Sequence, residues 1–220
     1  MNIAIDGPAG AGKSTIAKRL AEKLGFLYLD TGAMYRAVAL KTMRAGIAYT
    51  DDAMIERMLA DTAVDIRHEN GVQKILLDGE DVSEKIRENE VSKAASAVAA
   101  RKCVRLKMVE LQREIARGNN VILDGRDIGT YVLPHAEVKF YLTASVQERA
   151  RRRYAELQAK GAECKLDEIE KEIAERDYND MHRDFAPLRQ ADDATAVDSS
   201  DMTIDEVADF MLRIVREKRA

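Results

Sequence analysis

The chain has 220 residues, of which 46% are hydrophobic and 34% are charged; this composition excludes a disordered chain and fits one sizeable domain with insertions. Its 35 basic and 39 acidic side chains give a formal net charge of −4, so no bulk basic field attracts nucleic acid or an anionic membrane. Cys103 and Cys164 are too few for a disulfide framework and lack metal-ligand spacing. With no signal-type segment and no apolar run of about 18 residues, we expect a cytoplasmic protein.

The first motif is a glycine-rich loop between a predicted strand at residues 2–5 and a predicted helix at 14–24. The sequence GPAGAGKS fits the pattern G-x-x-x-x-G-K-[ST], and its glycines let the loop turn its N–H groups toward a polyphosphate. We expect Lys13 to neutralise the β- and γ-phosphates and Ser14 to offer its hydroxyl to Mg²⁺; the alternative is a glycine turn that matches by chance. The predicted ATP-binding residues of the loop are Gly7, Pro8, Ala9, Gly10, Ala11, Gly12, Lys13, Ser14 and Thr15.

A second strand and helix follow, and they predict a second anion site. Residues 26–29 predict a short strand, and Thr31 is the expected N-cap of a helix that runs to Ala45. Tyr35 and Arg36 then lie near the start of that helix, just beyond a strand end, where ligands of open α/β sheets gather. A guanidinium there holds a phosphate bidentately, although a solvated helix arginine is the simpler interpretation of Arg36 alone.

The region between residues 51 and 105 departs from the alternation of strands and helices. Turn signals at Asn70-Gly71 and Asp78-Gly79 predict a small antiparallel meander, and an alanine-rich helix after it carries Ser96. From the pattern alone, an inert insertion is as good an interpretation as a functional one. The predicted elements are a helix at 51–61, strands at 64–67, 74–77 and near Val82, and helices at 84–89 and 91–100.

The remaining elements return to the α/β pattern. Arg126 and Asp127 directly follow a buried strand that ends at Asp124, which places them at the expected ligand rim. The predicted elements are a helix at 104–117, strands at 121–124 and 138–142, a helix from 148 that Lys160-Gly161 ends, a helix at 166–183, a strand at 194–197 and a helix at 204–218.

Two of these helices carry arginine-rich stripes. Arg149 and Arg153 share one face at a spacing of four, and the acidic neighbours of this charge run favour a solvated face. Arg176, Asp180 and Arg183 line one stripe of the next helix at spacings of four and three.

Taken together, these segments resemble the nucleoside monophosphate kinases and, within them, the bacterial cytidylate kinases. The matching segments are GPAGAGKST, LDTGAMYRA, VSKAASAVAARKCVR, ILDGRDIGT, ERARRR and ERDYNDMHRDFAPL. The resemblance implies an α/β fold with a P-loop NTPase-type core, a five-stranded parallel sheet, an inserted monophosphate-binding domain and a short lid. The implied boundaries are a core at about 1–60, 106–148 and 166–220, an inserted domain at about 61–105 and a lid at about 149–165.

The resemblance also implies an activity, namely transfer of the γ-phosphoryl group of Mg·ATP to CMP or dCMP in pyrimidine metabolism. We expect a monomer with no nucleic-acid or membrane partner. The implied catalytic residues are Lys13, Arg126, Arg153 and Arg183, with Ser14 at the metal and Arg149 at ATP. The implied substrate-binding residues are Thr31, Tyr35, Arg36 and Arg126 at the acceptor phosphate, Ser96, Arg105 and Asp127 at the cytosine, and Arg176 and Asp180 at the pentose or phosphate.

This chemistry requires no catalytic base. The acceptor phosphate has a second pKa of about 6 and is already largely a dianion near neutral pH, so His68, His135 and His182 are predicted to be polar surface residues. One alternative is a P-loop kinase for another small acceptor, such as UMP or AMP. Another is a nucleotide-binding switch, whose ATP turnover would not depend on an acceptor.

Overall fold

The computed structural model describes residues 1–69, 72–159 and 161–219. The chain forms two compact units. We call residues Met1–Tyr28 and Asn119–Ala220 the phosphate-loop unit, and residues Leu29–Gly118 the meander unit. None of the described helices is long and apolar enough to cross a membrane.

The helices and strands follow one another closely along the chain. The first half contains β1 (Asn2–Asp6), α1 (Lys13–Leu24), β2 (Leu27–Asp30), α2 (Thr31–Arg44), α3 (Asp52–Ala60), β3 (Val64–Glu69), β4 (Val72–Leu77), β5 (Glu80–Asp81), α4 (Asn89–Ala99) and α5 (Lys102–Ala116). The second half contains β6 (Val121–Gly125), β7 (Val138–Thr143), α6 (Val146–Ala159), α7 (Leu166–His182), β8 (Thr195–Asp198) and α8 (Ile204–Arg219).

A five-stranded sheet in the order β2-β6-β1-β7-β8 confirms the predicted fold class. The central strand β1 pairs in parallel with both neighbours, so that Asp6 lies opposite Gly125 of β6 and Tyr141 of β7. Ile3 and Ile5 are fully buried, as expected for a parallel sheet covered on both faces. The carboxyl ends of three strands therefore meet at one edge, and the glycine-rich loop leaves the sheet from that edge.

Helices α1 and α8 close one side of the core of the phosphate-loop unit. Leu20 of α1, Phe140 of β7 and Met211 of α8 belong to one buried apolar cluster. At the surface Lys23 pairs with Asp209 at 2.7 Å, an exposed ion pair that water and salt screen strongly. Apolar burial therefore holds the helix that follows the glycine-rich loop in place.

The meander unit contains the predicted antiparallel strands, in the order β3-β4-β5. The turn between β4 and β5 has positive φ at Asp78 (51°) and Gly79 (86°), as tight hairpin turns require, so the prediction from Asp78-Gly79 is confirmed. The predicted turn at Asn70-Gly71 lies outside the described residues, as does Lys160 in the predicted helix break.

Two local predictions were wrong. Asp30, not Thr31, is the N-cap of α2, because the Asp30 side chain accepts a hydrogen bond from the N–H of Ala33 at 3.0 Å and Asp is at least as good an N-cap as Thr. The helix predicted at 84–89 is only a 3₁₀ turn at Lys85–Arg87. Glu88 adopts extended backbone angles there (φ −62°, ψ 145°) and becomes the N-cap of α4.

Candidate active site

The glycine-rich loop requires glycine at its first position. Gly7 has a φ of 146°, and a Cβ there would lie 1.9 Å from the carbonyl oxygen of Leu142. No side chain fits in that space. The loop ends at Gly12, the N-cap of α1, so it lies at the positive end of the helix dipole, where polyphosphates bind.

Lys13 is buried and held by its own loop. Its Nζ donates a hydrogen bond to the carbonyl oxygen of Pro8 at 2.7 Å. Burial, and next the Arg126 guanidinium, lower the pKa of Lys13 to about 7, although the carboxylates of Asp124, Asp6 and Asp180 oppose that shift. A polyphosphate in the loop would add negative charge next to the amine and raise this pKa again.

Ser14 lies against a carboxylate at the end of β6. Its Oγ donates to Oδ2 of Asp124 at 2.7 Å, and the Tyr28 hydroxyl donates to Oδ1 of the same carboxylate at 3.1 Å. In P-loop enzymes the loop hydroxyl and a strand carboxylate hold Mg²⁺, and oxygen ligands of this kind suit that ion. Ser14 and Asp124 therefore fit Mg²⁺, whose other ligands would come from phosphates and water.

Arginines and carboxylates converge in the segment after β6 and on α7. Arg126 donates from Nε to Oδ2 of Asp180 at 2.9 Å, and Arg183 lies 3.4 Å from Asp127 and 3.9 Å from Asp180. Burial raises the pKa of Asp180, but Arg126, Arg176 and Arg183 outweigh burial and hold it below its usual value. The structure thus brings five of the predicted site residues together.

Arg149 is buried beneath the glycine-rich loop, with 3% of its surface exposed. Its guanidinium donates to the carbonyl oxygens of Ala144 at 2.9 Å and Ala9 at 3.0 Å, and to Oδ2 of Asp177 at 2.6 Å. The solvated face predicted for this charge run is therefore wrong at Arg149. The partners that bury it are backbone carbonyls and a carboxylate far away in the sequence.

The neighbouring arginines of α6 have other partners. Arg152 binds Glu148 and donates to the carbonyl oxygen of Ser199 at 2.8 Å. Arg153 pairs with Glu156 at 2.9 Å, and 37% of its side chain is exposed. Arg151 is 70% exposed. Of the four arginines in this run, only Arg149 is buried against the loop.

The meander unit contains the other predicted substrate residues. Arg36 donates to Oδ2 of Asp30 at 3.0 Å, beside the start of α2. Arg105 is 1% exposed; its guanidinium lies 5.3 Å from the ring centroid of Tyr35 and donates to the carbonyl oxygen of Ala99 at 3.3 Å. A buried guanidinium over an aromatic ring is positioned for planar hydrogen-bond recognition. The predicted residues in this unit are Thr31, Tyr35, Arg36, Ser96 and Arg105.

Comparison with known proteins identifies the family. A family model described as cytidylate kinase matches residues 3–217. The chain belongs to the cytidylate kinase family. It is 53% identical over 216 residues to a cytidylate kinase of Geobacter sulfurreducens, covering 98% of this chain and 93% of that one. It is 52% identical over 214 residues to a cytidylate kinase of Caldicellulosiruptor saccharolyticus, covering 97% of this chain and 95% of that one.

The fold of this cytidylate kinase family member also occurs in more distant kinases. A gluconokinase from Sinorhizobium meliloti 1021 superposes with a TM-score of 0.52, covering 99% of this chain and 93% of that chain. The sequence identity is 14%, so the likeness concerns the fold alone.

Two residues at the site of this cytidylate kinase family member were missed by sequence reasoning. Asp124 was placed at the ligand rim but not among the site residues, although a carboxylate ending a buried strand beside the loop strand is a recognisable signal. Asp177 left no comparable signal, because its partner Arg149 is 28 residues away along the chain. All three histidines lie at exposed positions.

Proposed function

We propose that this chain transfers the γ-phosphoryl group of ATP to CMP or dCMP, giving ADP and CDP or dCDP. The observation that carries the proposal is a phosphate loop with Lys13 and Ser14 in place, in a chain that matches the cytidylate kinase family over residues 3–217.

The reaction needs positioning and positive charge more than acid–base chemistry. The acceptor phosphate is largely a dianion at neutral pH, and charge develops on the transferring group and its neighbouring oxygens. We propose that Lys13 exchanges Pro8 for the β- and γ-phosphates, while Arg126 and Arg183 stabilise the transferring phosphoryl. Arg126 is already paired with Asp180, and Arg183 with Asp127. Little reorganisation of the two guanidinium groups is therefore needed during transfer.

Mg²⁺ would be held by the Ser14 hydroxyl and the Asp124 carboxylate. When bound, the ion supplies positive charge to the β- and γ-phosphate oxygens. The two side chains are hydrogen-bonded to each other at 2.7 Å, which keeps both oxygens at the loop.

The acceptor is proposed to bind through its phosphate and its pentose. Thr31, Tyr35 and Arg36 would hold its phosphate, together with Arg126, and Arg176 and Asp180 its pentose or phosphate. Arg36 supports this assignment, because it lies at the start of α2, where the helix dipole favours an anion.

The cytosine edge is proposed to be read by Ser96, Arg105 and Asp127. Cytosine presents an N4 amino donor beside an N3 acceptor, so a carboxylate accepts from N4 and a guanidinium donates to N3 or O2. Arg105 is buried in a fixed orientation. Asp127 has a cationic partner, Arg183, inside its own unit, which also supports the alternative that Asp127 only orients an arginine.

On the donor side, Arg149 and Arg153 are proposed to act at ATP, and residues 149–165 to close over it while residues 61–105 enclose the acceptor. Closure would exclude water that hydrolyses ATP. Amide hydrogen exchange with and without a bisubstrate analogue tests it, and unchanged protection in both segments would reject closure. Cytoplasmic location and a monomeric state stay predictions.

The decisive experiment is ADP formation from Mg·ATP in the presence of each common ribo- and deoxyribonucleoside monophosphate. We expect turnover to depend on the acceptor and to be fastest with CMP or dCMP. Faster turnover with UMP or AMP would give the chain another acceptor, and turnover that is independent of every acceptor would overturn the proposal.

A further inference from the structure

We infer that Asp6 is a positioning residue for phosphoryl transfer, fixing the segment that carries Arg126 and Asp127 against the strand that leads into the phosphate loop. The inference rests on the proposed function, because only that function gives Arg126 and Asp127 an acceptor to bind. Asp6 itself is not proposed to touch either substrate.

Asp6 is the last residue of β1, directly before Gly7, and only 4% of its surface is exposed. Oδ1 accepts a hydrogen bond from the N–H of Ile128 at 2.8 Å, and Oδ2 accepts one from the N–H of Gly129 at 2.7 Å. Both N–H groups belong to the helical turn Ile128–Val132 that follows Asp127. One carboxylate thus satisfies the two donors that open this turn, as an N-cap does for a helix.

The turn fits closely on its other side as well. A Cβ on Gly129 would lie 3.1 Å from Cδ of Lys139 and 3.4 Å from Oδ2 of Asp6. The carbonyl oxygen of Asp127 accepts from the N–H groups of Tyr131 at 2.9 Å and Val132 at 3.0 Å. The backbone of Asp127 is therefore fixed by the turn, and Asp6 fixes the turn.

The site requires a carboxylate. An amide offers one acceptor oxygen and an NH₂ donor, so asparagine would keep one of the two hydrogen bonds and place its NH₂ against the other N–H. Keeping the carboxylate ionised here is unfavourable: burial, and to a smaller extent Asp127, raise the pKa of Asp6 to about 6, while the two N–H groups and Lys13 oppose the shift. A strongly shifted group beside a loop of this kind is more common at functional sites than elsewhere.

The test compares Asp6→Asn with Asp198→Asn. Asp198 also accepts an N–H and a hydroxyl, both from Ser200, but at an exposed turn. We expect Asp6→Asn to lower kcat/KM for CMP by about 10- to 100-fold, as small misplacements do, with KM for ATP within about twofold. Amide exchange should accelerate at Ile128 and Gly129 and remain unchanged across α1. The Asp198 variant should match the wild type.

Two further arms separate positioning from simple destabilisation. Gly129→Ala places a methyl group against Oδ2 of Asp6 and Cδ of Lys139, and it should reproduce the fall in kcat/KM for CMP if Asp6→Asn does not fold. The second arm is the ratio of variant to wild-type kcat/KM for CMP as a function of pH, in which the ionisation of the substrates cancels; Lys13, Asp127 and Tyr141 are the titratable groups that face Asp6. For Asp6→Asn this ratio should rise toward one below about pH 6, where wild-type Asp6 becomes protonated and itself loses an acceptor.

The outcomes are distinct. A wild-type chain without CMP-dependent ADP formation would reject the proposed function. An active wild type whose Asp6→Asn and Gly129→Ala variants keep its kcat/KM for CMP and its exchange at Ile128 and Gly129 would overturn the role of Asp6. A fall in kcat/KM for CMP that comes with equally faster exchange across α1 would overturn it too, since it would show a structural effect alone.

Discussion

Arg105, which is buried in the meander unit, is held differently from the arginines at the site of the phosphate-loop unit. In the phosphate-loop unit Arg126, Arg149 and Arg183 are each paired with an aspartate, whereas in the meander unit Arg105 is buried against the Tyr35 ring and a backbone carbonyl. Carboxylate partners fix the direction of positive charge, which suits a transferring phosphoryl group. An aromatic ring holds a guanidinium by its flat face, an arrangement that suits recognition of a flat base.

The largest expected effect comes from removing the buried cation of the phosphate loop. Lys13→Ala should lower turnover by about 10³-fold or more while the fold is kept, because the charge that develops on the phosphoryl group loses a fixed partner. Steady-state ADP formation and circular dichroism measure the two parts. Lys23→Ala, at a 41% exposed side chain, is the control, and a folded Lys13 variant with normal turnover would remove Lys13 from the mechanism.

Removing an arginine from a buried ion pair should lower the free energy of unfolding strongly, whereas removing an exposed arginine nearby should not. Arg149→Ala leaves the Asp177 carboxylate buried without its cation and should lower the free energy of unfolding by about 3 kcal/mol. Arg151→Ala, at a 70% exposed position, should change it by less than about 0.5 kcal/mol. Urea denaturation followed by circular dichroism measures both, and equal losses would show that burial of Arg149 contributes nothing.

Removing the Asp127 carboxylate is expected to have a smaller effect on activity than the changes above, but an effect that differs between CMP and UMP. Asp127→Ala should reduce kcat/KM for CMP more than for UMP, because only cytosine offers an N4 amino group to the carboxylate; each mismatched hydrogen bond costs about 1–3 kcal/mol. The ratio of the two constants should therefore shrink about tenfold or more. An equal loss for both substrates would make Asp127 a positioning residue for Arg183.

The smallest expected effect is the number of protons that the protein takes up when ATP binds. The pKa of Lys13 is lowered to about 7, chiefly by burial, so part of the amines are neutral near that pH, and bound phosphates would restore the charge. ATP binding should therefore take up more protons in the wild type than in Lys13→Arg, whose guanidinium is always charged. Calorimetry at pH 7 in two buffers of different ionisation enthalpy measures this difference, and equal uptake would contradict the lowered pKa.

The pKa shifts of Lys13 and Asp6 also predict how the free energy of unfolding changes with pH. Because the pKa of Lys13 is lowered on folding, the unfolded chain binds more protons than the native chain between about pH 7 and 10.5. Lys13 therefore makes the chain more stable as the pH rises through that range. Asp6 has a raised pKa of about 6 against an ordinary value of 3.8, so its contribution is lost as the pH rises from about 4 to 6.

Sequence reasoning succeeded for several features whose signal was local. The strand, glycine loop and helix around Lys13 follow from a contiguous pattern, and so does the meander turn at Asp78-Gly79. It failed where a partner is distant or is a backbone group. The burial of Arg149 depends on a contact with Ala9, 140 residues away. The role of Asp6 depends on N–H groups 122 and 123 residues away.

The burial of Arg149 also limits where α6 can bend. Its first turns are fixed twice, by Arg149 to Ala9 and Asp177 and by Arg152 to the Ser199 carbonyl. A hinge at residue 149 would have to break both attachments, so the proposed closure would have its hinge beyond Arg153 and involve a segment shorter than 149–165. A spectroscopic label at Arg151 should consequently report no displacement on nucleotide binding, whereas a label at Gln158 should report the displacement of the closing segment.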